Sequence, residues 1–222
     1  MLFKKLPVYI LPVFLTALVV AQDQGNAFDH STDGTSRSVP LSGTYTIGSG
    51  ADYTTIALAV SALHTNGVNG PVTFNFLSGT YTEYVSLNEI TGASATNTIT
   101  FQAGDGNASS VIWQNTSNNY SYNYVLLLNG ADHVTLKHIT FKNINSSYSR
   151  KLDLVGITDS ISVDSCSFLG KENAGSSNYH SSIYGSSNEA QGLKIKNSTF
   201  TCLLYTSPSP RDRTRSRMPS SA

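Results

Sequence analysis

The sequence predicts an all-β chain wound as a parallel solenoid, a β-helix, with one short helix capping its N-terminal end. Three observations carry this prediction. Apolar residues return in short bursts (GTYTIG, PVTFNF, EYVSL, NTITFQA, YVLLL, HVTLKHITF, SISVDSCSF, GLKIKNSTF), rich in β-branched and aromatic types and bounded by Gly, Asn, Asp or Ser, as strands are. Three stretches, 134–141, 161–168 and 193–200, align without gaps as aliphatic, any, aliphatic, three variable positions, Ser or Thr, then Phe. Their phenylalanines, Phe141, Phe168 and Phe200, recur after 27 and then 32 residues, a period that means stacked supersecondary units. Length differences fall in the Gly/Ser/Asn/Tyr stretches between them, where loops absorb insertions.

The elements follow in order. Residues 1–21 carry Lys4 and Lys5, an apolar run to Val20 and a small residue at Ala21, the layout of a secretory signal peptide. The run is broken by Pro7 and Pro12 and is short for a bilayer span. Residues 22–39 are polar and read as an exposed linker. Residues 40–201 form the β-helix fragment. Within it only YTTIALAVSALHTNG has helical spacing: Ile56, Val60 and Leu63 share a face, Thr54 or Thr55 can cap its start, and Gly67 ends it.

Residues 202–222 have a different character, with Arg211, Arg213, Arg215 and Arg217, three of the seven prolines and no apolar periodicity after Tyr205. Codons for CLLYTSPSPRD and RSRMPSSA can be written so that they match, in order, transposase-adapter and indexing-primer sequences of short-read libraries. The tail is therefore expected to be adapter-derived and disordered, the solenoid truncated, and the arginine cluster no nucleic-acid patch.

Removing both ends changes the charge. The whole chain has 14 basic and 14 acidic residues; without Lys4, Lys5, the four tail arginines and Asp212 it has 8 and 13, a mildly acidic body that argues against nucleic acid as a partner. Cys166 is then the sole thiol of the body, so no disulfide framework is expected despite export.

Stacked coils make columns predictable. Val134, Ile161 and Leu193 should form one internal column, Leu136, Val163 and Ile195 a second, and the three phenylalanines a third. Lys137, Asp164 and Lys196 should form an outward charge ladder, and Cys166, aligned with Ile139 and Ser198, a small core position rather than a reactive thiol. AGDGNAS reads as an Asp-Gly turn, since calcium wants six or more oxygens. His133 and His138 lack metal-ligand spacing, and no metal or cofactor is expected. The stretch NTSNNYSYNY, 115–124, is read as a loop leaving the solenoid. Its Tyr120, Tyr122 and Tyr124 are the candidate carbohydrate-binding residues, because ring faces beside amides suit sugar stacking and hydroxyl recognition.

GADYTTIALAVSAL followed by GTYTEYVSL resembles the opening of right-handed parallel β-helix, pectin-lyase-like proteins, including pectin methylesterases. In those a short helix precedes the first coils and a Gly-x-Tyr-x-Glu turn follows the first strand. Gly79, Tyr81 and Glu83 occupy that motif. The esterase pattern departs at CSFLG, 166–170, where Lys171, Glu172 and Asn173 stand in place of a Gln-Asp pair, so no catalytic residue is carried over. The phrases GPVTFN, SGTYTE and ITGASATNTITFQA also resemble large β-helix surface proteins of Bacteroidota. The resemblance implies an exported or cell-surface bacterial protein. Because a solenoid flank is a long, regular surface suited to extended polymers, the expected role is non-catalytic, adhesin-like binding of an extracellular polysaccharide or cell-surface glycan, with no membrane partner after signal cleavage. The alternative is a polysaccharide lyase or pectin-esterase-like enzyme with its catalytic part incomplete. An enzyme should show two or more carboxylates, or a carboxylate with Arg or Lys, converging on one groove, whereas the repeat places Asp159, Asp164 and Glu172 on separate columns or loops.

Overall fold

The computed structural model describes residues 28–30, 36–172, 178–185 and 190–203. The predicted signal and all but Cys202 and Leu203 of the predicted tail lie outside them. The predicted linker holds a short antiparallel pair, β1 (Phe28–His30) with β2 (Ser36–Ser38). Then come β3 (Leu41–Ile47), α1 (Ile56–Asn66) and a first coil of β4 (Val68–Phe76), β5 (Gly79–Thr82) and β6 (Val85–Asn88). The second coil is β7 (Ile99–Ala103), β8 (Val111–Gln114) and β9 (Leu126–Asn129); the third is β10 (Val134–Lys137), β11 (Thr140–Lys142) and β12 (Leu152–Val155). After a corner strand β13 (Thr158–Asp159), the fourth is β14 (Ser162–Asp164), β15 (Ser167–Glu172) and β16 (Ile183–Gly185). A second corner strand β17 (Ala190–Gln191) leads into β18 (Lys194–Lys196) and β19 (Thr199–Leu203).

Each coil contributes one strand to each of three parallel sheets, ordered β18-β14-β10-β7-β4-β3, β19-β15-β11-β8-β5 and β16-β12-β9-β6. This is the predicted parallel solenoid, three-sided, and parallel crossovers of this kind are right-handed. Because successive coils pair strand on strand, about 4.8 Å apart, alternate side chains pile into columns facing in or out.

Two of the predicted inner columns are seen, closed over the third and fourth coils and open at the last, where Ile195 and Phe200 are each 44 % exposed. Leu136, Val163 and Ile195 are in register, and Phe141, Phe168 and Phe200 are too. The phenyl rings stack nearly parallel, Phe141 to Phe168 at 5.3 Å and Phe168 to Phe200 at 4.8 Å. The stack extends further back than the repeat shows, through Trp113 (5.5 Å from Phe141) and in register to Tyr81. It joins a second column, Tyr45–Phe74–Phe101, across the core at Phe101–Trp113, 6.4 Å. Phe141 and Phe168 are wholly buried. Each such ring pair adds about 0.5–1.5 kcal/mol beyond area burial.

Where the sequence suggested unbroken strands of eight or nine residues, each repeat bends in the middle. His138, Ser165 and Asn197 have φ of 52°, 53° and 49°, so each repeat forms two strands on different sheets. The bends lie one coil apart, with the His138 and Ser165 amides donating to the carbonyls of Asp164 and Lys196. His133 and Ser160 occupy the preceding corner with φ of 56° each. Both histidines in this region are corner residues, and the corner needs a residue that tolerates the left-handed region.

The N-terminal end is closed by α1, which buries Ile56, Ala59, Val60 and Leu63. Thr55 caps it, accepting from the Leu58 amide, and Gly67 ends it at φ 66°, its N–H donating to Leu63 O. The Gly-x-Tyr-x-Glu turn anchors this cap. The Glu83 carboxylate accepts from the first-turn amides of Ile56 (3.2 Å) and Ala57 (3.0 Å), which have no partner within the helix and where the helix dipole favours negative charge. The backbone carbonyl of Glu83 receives Trp113 Nε1 at 3.0 Å, tying the helix to the aromatic stack. Tyr81 Oη lies 2.9 and 2.6 Å from the carbonyls of Ile47 and Leu77, and burial, then the charge of Glu83, raises its pKa and keeps it a donor.

Two outcomes are expected. Phe141→Ala should lose about 3–5 kcal/mol in denaturant unfolding, since stacked neighbours cannot collapse into the gap. At the far end of α1, His64 Nε2 accepts from the Asn88 amide at 3.0 Å, and burial lowers its pKa. The folded state thus takes up the His64 proton less readily than the unfolded chain. Stability is full above the unfolded value near 6.5 and falls as pH drops through it towards the lower folded value. The melting temperature should decline over that interval, and His64→Gln should flatten the decline.

Candidate functional site

The long connections between the second and third sheets ride on one corner of the solenoid, and asparagines hold them there. Asn115 and Asn143 follow residues paired in register, Gln114 and Lys142, and are 4 % and 0 % exposed. The Asn115 side-chain amide donates to the carbonyls of Tyr122 and Tyr124, both at 2.7 Å, and its Oδ1 accepts from the Ser117 amide. Asn143 repeats the device one coil on, donating to Arg150 O at 2.9 Å. Stretch 115–124 therefore does not swing clear of the solenoid but is stapled back onto it, because its buried backbone carbonyls need donors.

The loops also bind each other. Asn145 Nδ2 donates to Ser117 O (2.8 Å), the Arg150 amide to Asn123 Oδ1 (3.0 Å) and Asn123 Nδ2 to Tyr179 O (3.2 Å). Ser149 Oγ sits 2.8 Å from His180 Nδ1. Since each loop rests on the next, their tyrosines meet. Tyr120, Tyr148 and Tyr179 form an edge-to-face triangle with centroids 5.5 to 5.8 Å apart. On the first-coil side, Tyr122 stacks on Tyr84 at 4.7 Å, and Tyr124 meets Tyr84 edge-on at 6.1 Å.

Of the three predicted residues, Tyr120 is 63 % and Tyr122 41 % exposed, while Tyr124 is half-buried. Burial, then the phenols of Tyr84 and Tyr122, push the Tyr124 pKa up. The prediction missed Tyr84, Tyr148, Tyr179 and Arg150, although a signal existed. Tyr120, Tyr148 and Tyr179 recur after 28 and 31 residues in the phrases NNYSY, SSYSR and SNYHS, nearly the interval of the phenylalanines.

Between the tyrosine loops and the third sheet lies a cleft of about 240 Å³. Its floor is an outward column in register, Leu127 on β9, Asp153 on β12 and Tyr184 on β16, of which Leu127 and Asp153 line the cleft. Arg150 crosses it, with Nη1 2.8 Å from Asp153 Oδ2, Nε donating to Asn178 O, and its guanidinium 3.6 Å from the Tyr184 ring centroid. The two side chains of the ion pair are 13 % and 9 % exposed.

The other sequence candidates resolve simply. Cys166 is buried, and burial pushes its thiol up to about 11, the reverse of a reactive thiolate. Asp105 closes its own turn, accepting from the Asn107 amide and Ser110 Oγ. Lys137, Asp164 and Lys196 are in register as the predicted ladder. Asp164 accepts from Asn197 Nδ2 and Ser165 Oγ, which hold its carboxyl below the usual range. Asp159 stands on β13 and Asp164 on β14, whereas the Glu172 side chain lies outside the described residues. Among the described residues no three His, Cys, Asp or Glu side chains gather as a metal site would require.

No protein-family model matches the chain, and no curated protein matches its sequence. Among solved structures it is similar to two crystal structures of the pectin methylesterase from Aspergillus niger, one in a deglycosylated and one in a penultimately deglycosylated form. The TM-score is 0.52 for each, with 17 % and 18 % identity over 75 % of this chain. The chain spans about half the length of those structures, 52 % of each. At that identity the likeness shows the fold alone, the right-handed parallel β-helix.

The stapled loops generate a test. Asn143→Leu removes a buried donor and should cost about 1–3 kcal/mol. Limited proteolysis should then cut within 144–148 faster than in the parent, while the Phe141–Phe168 core unfolds in a single transition.

Proposed function

We propose that this is a secreted or cell-surface β-helix protein that binds an extracellular polysaccharide without transforming it, in the manner of an adhesin. The observation that carries this reading is the run of tyrosines over successive coils on one corner: Tyr84, then Tyr122 and Tyr124, then Tyr148, then Tyr179, with Tyr120 exposed among the last two. Rings at this corner span three coil steps, roughly 14 Å at the spacing of paired strands. That is the length of a short oligosaccharide laid along the solenoid axis.

Rigid rings with polar tips give contact area at low entropy cost, and the asparagine staples hold them in place before any ligand arrives. The predicted signal peptide supplies the export that an extracellular glycan partner requires. No helix among the described residues is long and apolar enough to cross a membrane.

An esterase or lyase would need carboxylates, or a carboxylate with Arg or Lys, acting on one groove; Arg150 and Asp153 meet at the cleft, but they face each other at 2.8 Å. Fold cannot choose, because β-helices carry both kinds of function. The acidic groups at hand are otherwise engaged, Asp153 with Arg150 and Asp164 with its own corner.

Affinity electrophoresis against a panel of soluble plant and microbial polysaccharides tests the proposal. At least one should retard the protein, and Tyr120→Ala should weaken that binding about tenfold, near 1.4 kcal/mol, with an unchanged melting temperature. Retardation by no polysaccharide, or equal retardation of parent and variant, would refute it.

A further inference from the structure

We infer that the cleft beneath Tyr120 and Tyr179 selects an uncharged sugar unit and rejects a uronate, with the Arg150–Asp153 pair as its specificity determinant. This rests on the glycan-binding reading above and narrows its ligand class. At about 240 Å³ the cleft lies below the range of pockets that hold drug-sized ligands, and it fits about one pyranose ring. Longer chains would continue along the tyrosines towards Tyr122 and Tyr84.

The charge at the floor decides the class. An exposed, unengaged arginine would invite a carboxylate in bidentate fashion. Arg150 is engaged on three counts: Nη1 on Asp153 Oδ2 at 2.8 Å, Nε on Asn178 O at 2.9 Å, and the guanidinium plane against Tyr184. Its charge is matched by a carboxylate on the same floor, and both side chains are largely shielded from water. A uronate entering here would bring its negative charge towards Asp153 in a shielded site where, among the described lining residues, the cation is the already engaged Arg150. Such like-charge apposition is how a site discriminates by repulsion.

An uncharged sugar meets no such penalty. The lining offers it the phenols of Tyr120, Tyr124 and Tyr179, the Ser121 hydroxyl and the apolar face of Leu127. A phenol is protonated at neutral pH, and burial only moves the Tyr124 pKa further up, so its hydroxyl can both donate and accept, as sugar hydroxyls require.

The test compares a neutral β-glucan and a neutral galactan with polygalacturonate and alginate, by calorimetric titration of the full chain at low and high salt. A neutral polymer should bind with an affinity indifferent to salt, and both polyuronates at least about tenfold more weakly. Asp153→Asn leaves the Arg150 charge unmatched and should bring polyuronate binding up towards the neutral level, with salt dependence appearing. Ser121→Lys, at the exposed rim, should do the same even if the first variant folds poorly. Parent protein that binds polyuronates more tightly than neutral polymers overturns this inference while leaving the glycan reading intact. So do variants whose preference does not move. Binding of neither class overturns the glycan reading itself.

Discussion

Everything in this molecule depends on coils lying in register, one parallel strand on the next. Once Leu136 sits beside Val163 and Val163 beside Ile195, every neighbouring residue inherits a partner one coil away. The pleat then sorts the columns alternately inward and outward. Inward, this builds the aromatic column from Tyr81 through Trp113 to Phe200, in which the Phe141, Phe168 and Phe200 rings stack face to face. Outward, it builds the Lys137–Asp164–Lys196 ladder and the Leu127–Asp153–Tyr184 column. A one-residue slip would turn both sets over, so the register is strongly specified.

The same constraint positions the loops. A connection that leaves the second sheet at Asn115 or Asn143 must return to the third sheet one strand spacing from its neighbour. Whatever it carries is therefore delivered in the same order as the coils. Its backbone has lost sheet partners and is too covered for water to serve every carbonyl. Asparagine, with two donors and an acceptor on a short stem, answers that need, as at Tyr122 O, Tyr124 O and Arg150 O. The amides that sequence composition associates with sugar recognition thus serve the backbone here, and the tyrosines they position present the surface.

The end of the coil is handled by the same groups. The turn at Gly79, Tyr81 and Glu83 looks, as a motif, like a signature of enzymatic β-helices, yet each of its side chains is spent on structure. Tyr81 bridges two carbonyls, and Glu83 neutralises the start of α1 while its carbonyl holds Trp113. A motif shared with esterases can therefore report how a β-helix is closed rather than what it does. At the loop corner, by contrast, ring faces are exposed and an ion pair is embedded.

By itself the sequence determined the solenoid, its capping helix and the register of two columns, Leu136–Val163–Ile195 and Phe141–Phe168–Phe200. Those rest on local spacing: aliphatic alternation, a recurring phenylalanine, a threonine before and a glycine after one helical stretch. It also pointed to Tyr120, Tyr122 and Tyr124, since a tyrosine-rich loop is visible without coordinates. Only the tertiary structure decided that each repeat bends at His138, Ser165 or Asn197, because those residues tolerate left-handed backbone without advertising it. Only the tertiary structure brought Tyr84, Tyr148, Tyr179 and Arg150 to that loop and set Asp153 and Tyr184 beneath the guanidinium. Apart from Asp153, three residues after Arg150, these partners are separated by one or two coils of chain, and contact between them arises from stacking, a relation between turns that no local pattern encodes.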